Sequence, residues 1–145
     1  MESGAALTAV IETELRRLLS RSRSFSVELA QMVHPELDPA LYVLLVQLAE
    51  HGQVRAVDLA NLRGVTKGVV SRQVGVLRRL GLLDRTPDPS DARAQVIVLT
   101  PAGRRAVRRA QAARREYMKR MLERCSEDEL VAISQTLRQL NELMS

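Results

Sequence analysis

Residues 66–79 concentrate groups able to hydrogen-bond an anion and to read a polar edge. They are Thr66, Lys67, Ser71, Arg72 and Arg79, interleaved with Gly68 and Gly75. On a helix advancing about 100° per residue, Gly68, Ser71, Arg72, Gly75 and Arg79 share one side, and Val70, Val74, Leu77 and Leu80 the other. The first side is small and cationic. It lets a helix backbone come close to a groove, and it carries a guanidinium whose forked donors match guanine bidentately. Thr66, Lys67 and Ser71 lie near the helix start, where contacts to phosphate or base edges are expected, and Arg72 is the expected base reader. A second group follows in Pro87-Asp88-Pro89-Ser90-Asp91-Ala92-Arg93-Ala94, a run dense in turn formers. There Arg93 offers another guanidinium, and Asp91 is expected to orient Arg93 or the loop backbone, because phosphates repel a carboxylate.

The elements that must hold these groups are legible around them. Thr66 suits an N-cap, and the helix is expected over about 66–80. Gly81 can end it by taking positive φ. Leu82–Thr86 and Gln95–Thr100 are short β-prone runs, so the polar stretch between them predicts a hairpin with an arginine at its tip. A hairpin beside a recognition-type helix is a winged helix-turn-helix, with the wing over about 82–100. Its first helix is expected within Val54–Arg63, with Leu59, Ala60 and Leu62 packing under the recognition helix. The segments TKGVVSR, LRRLGLLDR and DPSDARAQVIVLTPAG resemble the MarR family of bacterial transcriptional regulators. Asp91-x-Arg93, running into Val96, Val98, Leu99, Thr100 and Gly103, is the most diagnostic piece, and the resemblance covers nearly the whole chain. This sequence departs from the family pattern at Arg63, where related sequences place an apolar residue before the turn glycine. Ala56 is also a poor cap.

The 145 residues suit one domain, over 5–145, with a core of its own. Aromatics make up 2% of the chain against 46% hydrophobic residues, so that core must be built from Leu, Val, Ala and Met. The formal charge of +5 favours a polyanionic partner. No apolar run approaches the ~18 residues of a membrane span. The N-terminus has no basic region followed by an apolar one, and the single cysteine makes no intrachain disulfide, so cytoplasmic residence is expected. Walker-type glycine loops, GxSxG, HExxH and cysteine–histidine clusters are lacking, so no catalysis is expected. His34 and His51 are separated by a helix, so neither a metal site nor a cofactor is expected.

The flanking segments read as helices. One is expected over 5–33, weakened at 20–26 by serines that compete for backbone bonds. Asp38 and Pro39 open another, about 39–51, stopped by Gly52. In it Tyr42 is expected to put its ring in the core and its hydroxyl at the surface. Thr100 and Pro101 open a long helix, about 101–124, with Ala106, Ala110, Ala113, Tyr117 and Met121 along one stripe among many arginines. Ser126 and Glu129 form a capping box for the last helix, whose Leu130, Ile133, Leu137, Leu140 and Met144 make a narrow seam fit for helix pairing. Cys125 lies between these two helices and is expected to be inert rather than a redox sensor.

The fold expected is therefore mainly α with a small β-hairpin wing, the helices of 5–33 and 101–145 pairing two copies around 39–100. The function expected is sequence-specific binding of double-stranded DNA by a homodimer, most simply as a repressor. Two recognition helices one turn apart predict an inverted-repeat operator with half-sites ~10 bp apart, and Arg93 would read the minor groove. The resemblance further implies a small aromatic or phenolic effector between the dimer helices and the winged module, where Phe25, Met32, His34 and Tyr42 are the residues to consider. The alternative is a winged helix used as a protein-interaction or architectural DNA-binding module without operator specificity.

Overall fold

The computed structural model describes residues 2–144. In chain order the elements are α1 (Glu2–Val33), α2 (Pro39–His51), β1 (Gln53–Arg55), α3 (Ala56–Arg63), α4 (Lys67–Arg79), β2 (Leu83–Asp88), β3 (Asp91–Leu99), α5 (Pro101–Leu122) and α6 (Glu127–Leu143). The chain divides into two compact units, Met1–Gln111 and Ala112–Ser145, with the boundary inside α5.

In the first unit, local signals set the helix limits. Asp38 accepts the Leu41 N–H at 2.8 Å, with Pro39 in the first turn of α2, and the Gly52 N–H closes that helix on the Leu48 carbonyl at 2.9 Å. The weakness expected at 20–26 leaves no break: α1 runs unbroken. Ser24 and Ser26 donate to the carbonyls of Ser20 and Ser22, at 3.3 and 2.9 Å, so the serine hydroxyls are satisfied one turn back within the helix. The sheet also differs from a bare hairpin. It is antiparallel with order β1-β3-β2, because Val54 pairs with Ile97 across β1 and β3. Val54 and Arg55 thus belong to a strand, and the first helix of the motif starts at Ala56.

The core lies among α2, α3, α4, the sheet, the last turns of α1 and the first half of α5. Leu44, Leu45, Leu48, Leu59, Val70, Val74 and Leu77 are fully buried there, with Leu29, Ile97 and Val107 nearly so. Tyr42 is buried to its oxygen, which corrects the expectation of a surface hydroxyl. Leu62, expected under the recognition helix, is 51% exposed. Helical spacing explains why: at about 100° per residue, position 63 projects between Leu59 and Ala60, and position 62 swings off that side. The inward place belongs to Arg63.

The root of the wing is tied to α5. Thr100 donates through its hydroxyl to the Gly81 carbonyl at 2.7 Å and through its N–H to the Leu82 carbonyl at 3.1 Å, and its Oγ1 accepts the Gly103 N–H at 3.0 Å. A Cβ at Gly103 would stand 1.9 Å from the Leu82 carbonyl oxygen, so only glycine fits. This contact is the physical content of the Thr-x-x-Gly spacing.

In the second unit, α5 ends at Leu122, two residues short of the expected limit. Ser126 Oγ accepts the Glu129 N–H at 3.3 Å and Glu129 Oε2 accepts the Ser126 N–H at 2.8 Å, completing the capping box. The bond from the Ser126 N–H lowers the Glu129 pKa below its ordinary value. No described residue of α6 is buried.

Candidate nucleic-acid interface

Helix α4 is seated by one face and bare on the other. Val70, Val74 and Leu77 are fully buried, whereas Thr66, Lys67, Gly68, Ser71, Arg72, Gly75 and Arg79 are all exposed. Thr66 caps the helix by accepting the Val69 N–H at 3.3 Å. Its own hydroxyl proton remains available to an acceptor. The amides of Lys67 and Gly68 lie in the first turn, where a helix supplies no partner and the dipole is positive, which suits an anion. Leu80, expected to continue the apolar face, is the half-buried cap residue, and Gly81 follows at φ +71°.

Gly75 is informative for what surrounds it. Nothing lies within 4 Å of where its Cβ would be, so the fold itself does not demand a glycine there. Glycine in a helix interior costs ~1 kcal/mol relative to alanine. A residue unfavourable to the helix, in the middle of its cationic strip and open to solvent, fits a surface that another molecule must approach closely.

The wing is tighter than the sequence suggests. β2 pairs with β3 from Leu83↔Leu99 to Pro87↔Gln95, and then the register jumps to Asp88↔Asp91. Pro89 and Ser90 alone form the turn, and Ala92, Arg93 and Ala94 are taken up as a bulge in β3. Arg93 is thus exposed on a bulged strand behind the tip, not at the tip itself, which corrects the expected placement. Asp91 Oδ1 accepts the Arg93 N–H at 3.0 Å, holding the bulge backbone.

Asp88, which reads in the sequence only as a turn former, is the buried hub of this structure. Its Oδ1 accepts the Ser90 hydroxyl at 2.7 Å and the Ser90 N–H at 2.8 Å. Its Oδ2 accepts Nε and Nη2 of Arg55, both at 2.6 Å. The two Ser90 bonds, followed by Arg55, hold the Asp88 pKa down at about 2. The Asp88 hydrogen bond in turn raises the pKa of Arg55. Arg55 stands on β1, the strand the sequence did not reveal, so this clasp had no readable signal beyond the Asp-Pro-Ser turn itself.

The four residues considered for an effector differ in exposure. Phe25 and His34 are half-buried, Met32 is 50% exposed and Tyr42 is in the core. A hollow of about 220 Å³ between α2, the end of β3 and the start of α5 is lined by Leu48, Gly52, Arg104 and Arg108 among others, and by none of these four.

A family model described as the MarR family matches residues 37–94, which hold α2, the helix-turn-helix and the wing through Ala94. An HTH-type transcriptional regulator of Bacillus subtilis, YxaD, is 29% identical over 132 residues and 91% of each chain. Over α2, the helix-turn-helix and the wing, the chain is thus similar to the MarR family. A MarR family protein from Bacillus stearothermophilus superposes with a TM-score of 0.80 at 24% identity, over 94% of both chains. Streptococcus pneumoniae FabT, solved in complex with DNA, superposes at 0.83 and 17% identity, over 94% of this chain and 96% of its own. MarR-family proteins are DNA-binding transcriptional regulators and not enzymes. Among the described residues, no helix is long and apolar enough to cross a membrane.

Proposed function

We propose that this chain is a MarR-family regulator, a homodimeric repressor that binds a pseudo-palindromic operator and releases it on binding a small aromatic effector. The observation that carries the reading is the solvent face of α4, where exposed Arg72 stands beside exposed Gly68 and Gly75, with nothing within 4 Å of a Cβ at Gly75. In this reading α4 enters the major groove. Arg72 pairs with a base edge, while Thr66, Lys67, Ser71 and Arg79 hold phosphates or neighbouring edges, and Gly68 and Gly75 let the helix sink. Arg93 reaches the minor groove from the bulged strand, and Asp91 sets its backbone.

Pairing follows from apolar surface left uncovered. Leu7, Val10, Ile11, Leu18 and Leu19 of α1 are 54–61% exposed, and Leu130, Ile133 and Leu137 of α6 are 37–45% exposed. A second copy using the same faces covers them with two-fold symmetry, which an inverted repeat mirrors. FabT, of the same fold, is seen on DNA, which supports the partner class.

Selection of bound fragments from random DNA is expected to return half-sites ~10 bp apart. Against that site, Arg72→Ala is expected to lose ~1–3 kcal/mol and relax one base pair. Arg93→Ala is expected to weaken binding with the base preference kept. Equal affinity of both variants and the unmutated protein would remove this face as the interface.

A further inference from the structure

Arg63 sits on the inward side of α3 and spends its guanidinium on two other helices. Nη1 donates to Gln73 Oε1 of α4 at 2.6 Å, and Nη2 donates to the Ala40 carbonyl in the first turn of α2 at 3.2 Å. Burial lowers its pKa, yet a guanidinium stays charged. One planar fork therefore joins α2, α3 and α4.

The buried part of the α4 seat is apolar, Val70, Val74 and Leu77, and the Arg78–Asp84 pair at its far end is exposed and long at 3.5 Å. Apolar contact is non-directional, so it resists lifting α4 away far better than it resists turning α4 about its own axis. Charge-assisted bonds from a rigid fork are directional and fix that rotation. Gln73 is the immediate neighbour of Arg72. Any rotation of α4 that Gln73 is not held against swings Arg72 by the same angle.

We infer that Arg63 is a positioning residue that sets the rotation of α4 against α2, and thereby the aim of Arg72, without touching DNA itself. The consequence for operator choice rests on the proposed DNA-reading role of α4; the mechanical tie does not. Two measurements separate them. Amide hydrogen exchange across 67–79 is expected to quicken in Arg63→Met and in Gln73→Leu, with the core amides of α2 unchanged. The double variant is expected to exchange no faster than either single one. Gln73→Leu breaks the same bond with α3 intact, so the test stands even where Arg63→Met folds poorly. In duplex titrations, both variants are expected to lower the ratio of operator to scrambled-duplex affinity by about tenfold, the scale of one charge-assisted hydrogen bond. Scrambled-duplex affinity should stay level. Arg63→Lys keeps the charge but loses the fork and is expected to behave like Arg63→Met. Unchanged exchange in α4, or wild-type behaviour of Arg63→Lys, overturns the positioning role. Quickened exchange in a protein that holds all duplexes equally upholds the tie and overturns the DNA reading alone.

Discussion

Gly75 and Asp88 show how single residues trade the stability of the fold against a surface. Because the space outside Gly75 is open, Gly75→Ala is expected to raise the melting temperature, with a stability gain of up to ~1 kcal/mol. The added methyl points out of the cationic strip, so operator affinity is expected to fall while the fold tightens; calorimetry and duplex titration on one preparation would show the opposed changes. Asp88 works in the other direction. Its pKa is depressed from 3.8 to about 2, chiefly by Ser90, so its carboxylate contributes stability above pH ~4 that is lost as the pH falls towards 2. Asp88→Asn removes that dependence. Thermal melts from pH 6 to 2 are expected to show the two proteins far apart at the high end and converging at the low end; parallel curves would mean that the clasp does not stabilise the wing.

At the scale of elements, α4 depends on its buried stripe. Leu77 is fully buried, so Leu77→Ala is expected to cost ~2–5 kcal/mol in chemical denaturation, far beyond what the exposed Arg78–Asp84 pair at 3.5 Å contributes. The stripe, the Thr66 cap, the Asp38–Pro39 start and the Ser126–Glu129 box were all legible, because each is a local pattern that decides its own geometry. What escaped needed a partner distant in sequence. Gln53–Arg55 is too short to declare itself and becomes a strand only against Val96–Val98. The wing run reads as a loop because its turn formers are evenly spread. Only the pairing of Asp88 with Asp91 shrinks the turn to Pro89-Ser90 and moves Arg93 onto the strand. The cationic strip was readable from periodicity. The clasp of Arg55 and Asp88, 33 residues apart, and the tie of Arg63 to Ala40, 23 apart, were not.

For the whole molecule, the proposed pairing through the uncovered seam on α6 would tie operator affinity to protein concentration. Leu137 is 45% exposed and makes no part of the core of either unit. Leu137→Glu places a charge in the proposed pairing face at no cost to the winged module. Sedimentation is expected to show monomer, and titration a steep loss of operator affinity, since two half-sites then have to be filled independently. A dimer that survives this change would put the pairing face elsewhere. The contact of Gly103 with the Leu82 carbonyl bears on regulation at the same scale. No slack exists between the root of the hairpin and the opening turn of α5. A force applied to that turn is handed straight to the arm that carries Arg93, so repositioning one without the other requires breaking the joint.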